Sequence, residues 1–272
     1  MEKRSDYFME DMGQHVESVR LEVKTDLEAV KRQASWAGIG KGLRVLDVAC
    51  GIGATTSALL DLVGDTGHVT GLDFSNKRLD IARERCPSDR TDFICHDIRT
   101  PFISDQPYDA VWMRFVLEYF RKEQHQIVIN CAASLRPGGI LCLADSDSNS
   151  INHHGHSRRM QLTIEDIERR LTSNFNLDPY AGRRLYEHLY ELGYKDINCM
   201  VEPHHLFYGE LAESDAYNWM HKIEMTAKKS GCQFEEYGGD CQSFIDEAQA
   251  FILSPARFSY TLLVVARGVK PG

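Results

Sequence analysis

The sequence predicts an α/β fold, a mostly parallel sheet with helices on both faces. Three observations carry the prediction. Short apolar, β-rich runs alternate with segments of helical periodicity through residue 145. Three of those runs close on an acid, at Asp47, Asp73 and Asp97. The first run passes straight into Gly51-Ile52-Gly53 and then a helical pattern. Glycines there let a ligand approach the backbone, because neither carries a Cβ. Open α/β sheets bind nucleotides at such strand ends.

Composition narrows the reading. At 272 residues the chain has room for one large domain with a cap. It is 43% hydrophobic and 26% charged, a globular balance. A formal net charge of -9 opposes phosphate backbones, so nucleic acid is not the expected partner. No apolar run approaches the ~20 residues of a membrane span. Residues 1–6 lead into no apolar signal core, so a cytoplasmic protein is expected. The eight cysteines form no C-x-x-C pair, which argues against a disulfide framework.

The elements follow in order. Val16, Val19, Val23, Leu27 and Val30 recur at three- and four-residue steps, one face of a helix that Gly38 and Gly40 end. Tyr7 and Phe8 stand ahead of it as a candidate flap over the ligand site. Strands are expected at 45–48, 69–73, 92–97, 108–113 and 140–145. Ser75 is placed to cap the helix after the second strand, and Pro87 to stop it. Residues 124–135 read as a helix and 136–139 as a turn into the fifth strand. The polar stretch 146–157 reads as a loop. Met160, Ile164, Ile167 and Leu171 line one later helix; Leu185, Leu189 and Leu192 line another, with Gly193 as its C-terminal cap. A strand near 197–207, helices at 216–229 and 240–253, and a strand at 258–266 complete the chain. The expected division is an N-terminal helical cap (1–40), a cofactor-binding core (41–145), and lid helices with completing strands of the same domain (146–272).

Right-handed crossovers set the ends of successive parallel strands along one rim. Asp47, Asp73 and Asp97 then share an edge, with the glycine loop between the first two. A ribose offers adjacent hydroxyl donors, and a carboxylate has two acceptor oxygens to match them. Asp73 is placed for that pairing. Asp97 suits an adenine amino group, and Asp47 an ammonium, directly or through water. A ligand with adenosine at one end and a cation at the other satisfies all three. A dinucleotide dehydrogenase fits less well: its fingerprint wants a third glycine where Thr56 stands, and it gives Asp97 no task.

On these motifs the chain resembles the class I S-adenosylmethionine-dependent methyltransferases. The resemblance covers roughly residues 43–145: the glycine motif at 45–53, Leu72-Asp73, His96-Asp97-Ile98, the stretch 108–120, and Leu135-Arg136-Pro137-Gly138-Gly139, similar to the family's L-x-P-G-G turn. Within the family it is most similar to the small-molecule branch related to ubiquinone and menaquinone C-methyltransferases. The resemblance implies a Rossmann-like seven-stranded sheet of order 3-2-1-4-5-7-6, last strand antiparallel, with helical lid insertions. It implies S-adenosyl-L-methionine as cofactor and S-adenosyl-L-homocysteine as product. It implies cofactor contacts from Asp47, Ala49, Gly51, Gly53, Asp73, Phe74, Asp97, Ile98 and Arg114. There are departures: Cys50 and Ile52 stand where the motif often has Gly or Ser and Thr, and Glu118-Tyr119 where related enzymes often have Glu-His or His-His.

The transferable methyl is already activated, so a base is needed only for a nucleophile that must lose a proton. Glu118 and Tyr119 are the candidate catalytic residues, with His125 nearby. The alternative for Glu118 is a carboxylate resting on the amide end of a helix. His153, His154 and His156, with His204 and His205, lack the cysteine or carboxylate partners of a zinc set, so no metal is expected. They read as a solvated loop or as lining of an acceptor pocket. Trp112 reads as core. Trp219, Met220 and Met225 read equally as substrate contacts or packing, and Arg183 and Arg184 as an anion site or a solvated face. The expected activity is methyl transfer to the oxygen, nitrogen or carbon of a small molecule. One alternative is a macromolecular (protein or RNA) methyltransferase. It is disfavoured by the acidic balance and by Met113-Arg114-Phe115-Val116 where amino-group enzymes of nucleic acid carry Asn/Asp-Pro-Pro-aromatic. The other is a non-catalytic cofactor-binding sensor or partner subunit.

Overall fold

A computed structural model describes residues 25–272. The flap at Tyr7 and Phe8 and the first part of the predicted N-terminal helix, with Val16, Val19 and Val23, lie outside the described residues. Among the described residues the helix begins only at Leu27, after the extended Asp26, and forms α1, Leu27–Ala37. Asp26 caps it by accepting from the Glu28 and Ala29 amides, each at 3.0 Å, and Gly38 ends it at φ 98°.

The chain then runs β1 (Arg44–Val48), α2 (Ala54–Val63), β2 (His68–Asp73), α3 (Asn76–Arg85), β3 (Thr91–Cys95), β4 (Tyr108–Arg114), α4 (Gln124–Cys131) and β5 (Leu135–His154). It continues with α5 (Arg158–Asn174), α6 (Leu185–Glu191), β6 (Lys195–Phe207), α7 (Glu213–Lys229), α8 (Cys241–Leu253) and β7 (Phe258–Val269). The sheet order is β3-β2-β1-β4-β5-β7-β6. Strands β1 to β5 pair in parallel, and β7 runs antiparallel to both neighbours. This is the expected order.

Alternate residues of the sheet bury opposite faces. Leu46, Val48, Met113 and Leu141 pack with Ile127 of α4 and Leu185 and Leu189 of α6. Val45, Val69, Trp112 and Cys142 pack with Val30 of α1 and Leu59 and Val63 of α2. Trp112 is core, as its strand position predicts. A third cluster joins α5 to α8 through Met160, Ile167, Leu171, Phe244 and Ile245.

Four features differ from expectation. The stretch 146–157 is mostly strand, not loop: β5 runs on to His154 and pairs Asn152, His153 and His154 with Tyr260, Ser259 and Phe258 of β7. Its polar character is compatible with a strand because its partner supplies hydrogen bonds, such as His153 Nδ1 to Ser259 Oγ at 2.8 Å. Helix α4 ends at Cys131 instead of reaching Leu135. The chain turns there so that the Ser134 carbonyl can accept from the Tyr108 amide, at 2.8 Å. The predicted turn at 136–139 is a bulge within β5, between the pairs Tyr108–Leu135 and Ala110–Ile140. Finally, β3 stops at Cys95, so Asp97 stands beyond the strand instead of closing it.

One buried group makes the fold acid-sensitive. His188 on α6 is 1% exposed, and among the described residues neither ring nitrogen has a hydrogen-bond partner. Burial, with the neighbouring Arg184 charge, pulls its pKa down to about 4. The folded state therefore refuses a proton that the unfolded chain accepts near the ordinary value of ~6.5. Between those two pKa values the unfolded state binds more protons, so stability falls as pH drops through that window. Urea melts should show lower stability at pH 5 than at pH 7, with His188→Phe removing about 1–2 kcal/mol of the difference. An unchanged pH dependence in the variant would contradict the assignment.

Candidate active site at the carboxyl edge of the sheet

The loop after β1 takes an unusual path. Ala49, Gly51 and Gly53 all have positive φ, at 57°, 57° and 79°. Two contacts tie the loop to β2: the Cys50 amide donates to the Leu72 carbonyl at 2.8 Å, and the Gly51 amide to Asp73 Oδ2 at 3.0 Å. The two glycines do different jobs. A Cβ on Gly53 would sit 2.9 Å from the Ala82 Cβ, so its bareness serves the packing of α2 against α3. A Cβ on Gly51 would meet no atom within 4 Å, so its bareness leaves open space in front of the loop.

Asp73, the last residue of β2, is 2% exposed. Its Oδ1 accepts from the Ser75 amide at 2.9 Å and lies 3.6 Å from Arg78 Nη1. Burial is the largest influence on its carboxyl and moves its pKa up, against Arg78 and the amides. Phe74 is exposed, with the Arg78 guanidinium 5.1 Å from its ring centre. Asp47 is buried near the end of β1 and accepts from Thr56 Oγ1 at 2.7 Å. Burial lifts its pKa to about 7, with Thr56 and Arg114 opposing. Thr56, read from sequence only as a missing glycine, is thus the direct partner of an acid on this rim. A hydroxyl in the first turn of the helix after the loop was the available signal.

Asp97 differs from the other two acids. It is half-exposed, and the Arg99 guanidinium clamps it, with Nε 2.9 Å from Oδ1 and 3.0 Å from Oδ2. That pairing holds its carboxyl below the usual range. Ile98 is buried, and its carbonyl accepts from Asn130 Nδ2 at 3.2 Å.

At the end of β4, Phe115 has φ 56° and donates its amide to the Ala144 carbonyl at 2.8 Å. The Arg114 guanidinium lies 4.3 Å from the Phe115 ring centre, and its Nε lacks a hydrogen-bond partner among the described residues. Burial lowers its pKa to about 10, opposed by Glu202, Asp145, Asp26 and Asp47. The turn that follows is organised by Asp145, a residue that sequence reading took only as the end of a strand. Its Oδ2 accepts from the amides of Val116, Leu117 and Glu118 at 3.2, 2.8 and 3.2 Å, and its Oδ1 from Ser146 at 2.9 Å. They open the short helical turn Leu117–Tyr119, and the carboxylate they bind is that of Asp145. Glu118 instead lies buried, with Oε2 accepting from Ser146 Oγ at 3.2 Å. Burial and the nearby Glu118 charge push the Asp145 carboxyl well up.

The segment between α5 and α6 is lashed onto this rim. The Asp178 amide donates to the Glu118 carbonyl at 2.7 Å, and the Ser148 amide to the Pro179 carbonyl at 2.9 Å. A Cβ on Gly182 would lie 2.7 Å from the Asp145 carbonyl oxygen, so only glycine admits this close approach. Tyr119 is half-buried against the lid core of α5 and α8. His125 faces α6, its Nδ1 3.5 Å from Glu191.

The other candidates are also placed. The histidines are not one solvated loop. His153 and His156 flank Phe251 at 5.0 and 5.9 Å between ring centres. His204 lies 4.7 Å from Phe115, and His205 bonds Thr261 at 2.8 Å. Among the described residues no cluster of three or more His, Cys, Asp or Glu side chains is arranged to hold a metal ion. Trp219 is packed with Phe207 and Ile252. Arg183 pairs with Asp147 at 2.7 Å, and Arg184 with Glu187 at 3.5 Å.

Residues 45–139, from β1 to the bulge in β5, match the family model of a methyltransferase domain. The similarity to a methyltransferase domain holds for that stretch of the chain. Over 125 residues it is 36% identical to a demethylmenaquinone methyltransferase of Staphylococcus aureus (strain MRSA252), covering 43% of this chain and 48% of that protein. The matched stretch thus spans about half the length of the curated relative. Among solved structures, a cyclopropane-fatty-acyl-phospholipid synthase-like protein from Lactobacillus casei ATCC 334 shares the fold at TM-score 0.61 and 15% identity, over 98% of this chain and all of that one. Phosphoethanolamine N-methyltransferase 2 of Haemonchus contortus, in complex with phosphomonomethylethanolamine and S-adenosylhomocysteine, does so at TM-score 0.60 and 16% identity, over 99% of this chain and 60% of that one. No helix among the described residues is long and apolar enough to cross a membrane.

The different tasks of the two glycines give an expected ranking. Gly53→Ala combines left-handed strain with a clash and should destabilise by about 2–4 kcal/mol, whereas Gly51→Ala, strained only, should cost about 1 kcal/mol. Urea denaturation of both variants checks this; equal losses would contradict it.

Proposed function

We propose that this protein binds S-adenosyl-L-methionine along the β1–β4 rim and methylates a small molecule beneath the segment that joins α5 to α6. The observation that carries the reading is the charge layout beside the open face at Gly51. Asp73 keeps acceptor capacity beyond its two amide contacts, which suits two ribose hydroxyls. Phe74 and Ile98 are assigned to the adenine, with Asp97 as acceptor for its amino group. Asp47 and Arg114, opposite charges at the ends of adjacent strands, suit the ammonium and carboxylate of an amino acid. Ala49 and Gly51 offer backbone to the same end.

Bound there, the cofactor would supply a methyl group activated on a sulfonium. The protein's part is to orient the acceptor and exclude water. Glu118 and Asp145 fix the turn after β4, and Tyr119 lines its lid side. The acidic chain favours a small acceptor over nucleic acid. The name of the demethylmenaquinone relative suggests an aromatic one.

Two outcomes test the cofactor half. Asp73→Ala should weaken S-adenosylhomocysteine binding by about 1.5–3 kcal/mol in calorimetry, the range for a hydrogen bond to a charged group. Equal affinity in a folded variant would remove the assignment. Asp47 must be ionised to hold an ammonium, and its pKa of about 7 lies above the ordinary carboxylate range. Affinity should therefore fall as pH drops from 8 to 6, by up to about tenfold, with Asp47→Asn abolishing the trend. A pH-independent wild type would contradict this role.

A further inference from the structure

The turn after β3 is closed on itself by its own hydrogen bonds. The His96 amide donates to the Asp73 carbonyl at 3.0 Å, which sets this turn beside Asp73 on the rim. The Asp97 carbonyl accepts from the Thr100 amide at 3.0 Å and from the Thr100 hydroxyl at 2.9 Å. His96 Nε2 bonds the Thr100 carbonyl at 3.0 Å. Ile98, buried in the core, anchors the middle of the turn. Asp97 Oδ1 also accepts from the Arg99 amide at 3.0 Å, the pattern of an Asx turn. The Arg99 side chain then folds back over the same carboxylate, with Nε 2.9 Å from Oδ1 and 3.0 Å from Oδ2, and with Nη2 on Oδ2.

An exposed ion pair contributes little unless its geometry is bidentate, as it is here. A carboxylate has about four acceptor sites. The amide, Nε and Nη2 of Arg99 each bring a donor to them. About one site is therefore left for a ligand. The same pairing, with burial opposing, holds the Asp97 carboxyl below the usual range, so the group stays an acceptor and does not become a donor. The Nε and Nη2 donors of Arg99 are engaged by Asp97, so the guanidinium does not present that edge to a ligand.

We propose that Arg99 is a positioning residue that makes Asp97 select a 6-amino purine over a 6-oxo purine at the base end of the cofactor site. The inference rests on the cofactor reading above and deepens it. The remaining acceptor site of Asp97 takes one N–H of the adenine amino group. A 6-oxo base presents a carbonyl at that place, and two acceptors then face each other unpaired. A site built to hydrogen-bond one group strongly rejects a ligand that leaves its own groups unpaired. The clamp matters because both side chains are partly exposed. A free carboxylate there would turn from the carbonyl and bond water. A clamped one holds its position against the wrong base. Arg99 acts only through Asp97 and touches no reacting atom.

The test uses the full-length protein and calorimetry with two ligands, S-adenosylhomocysteine and S-inosylhomocysteine. Wild type should prefer the adenosyl ligand by about 10- to 100-fold, the range for one hydrogen bond to a charged group. Arg99→Ala should shrink that preference by about three- to tenfold, weakening the adenosyl ligand but not the inosyl one. Arg99→Lys keeps the charge but not the fork, and should fall between the two. In an Asp97→Asn background, Arg99→Ala should leave the preference unchanged, because the group it positions is already gone. Unchanged melting temperatures certify the variants as folded. An unaltered preference in Arg99→Ala, an equal loss of affinity for both ligands, full wild-type preference in Arg99→Lys, or a further change in the Asp97→Asn background would overturn the role. So would a wild type that binds both ligands equally. Failure of wild type to bind S-adenosylhomocysteine at all would instead overturn the cofactor reading.

Discussion

The site depends on carboxylates that bind backbone amides across strand ends. Asp73 takes the Gly51 amide from one loop and the Ser75 amide from another. That clasp holds the β1 loop where Ala49 and Gly51 adopt left-handed conformations, which a non-glycine residue adopts at a cost. Asp145 repeats the device one step along the sheet, gathering three successive amides of the turn after β4. Burying a charge is expensive unless its hydrogen bonds are made, and here the loops themselves make them. Each acid therefore shapes the loop that faces the crevice.

The same economy explains the lid. Its connecting segment needs no separate core against the sheet, because backbone contacts at Asp178, Ser148 and Gly182 fasten it to the loops that the acids have already fixed. The apolar cluster between α5 and α8 then closes the outer layer. Lid and rim meet at Glu118, whose carboxylate bonds Ser146 of β5 while its carbonyl accepts from Asp178.

Much of this was legible in the residues. Strand order, the antiparallel last strand, the Ser75 cap and the buried Trp112 follow from periodicity and family resemblance. Local pattern failed where the determining partner is far away in sequence. Residues 152–154 look like loop until paired with Ser259 and its neighbours, more than 100 positions later. The histidines look like one cluster, yet His153 and His205 bond different residues of β7, Ser259 and Thr261. Asp145 and Asp47 carry the same strand-end signature, and only the fold reveals that one holds amides and the other a threonine.

The most direct test of the central claim is a crystal structure of the protein grown with S-adenosylhomocysteine. The account predicts ribose hydroxyls within hydrogen-bond distance of the Asp73 carboxylate, with the ligand's amino-acid end beside Asp47 and Arg114. A ligand bound elsewhere, or an empty crevice at millimolar concentration, would contradict it.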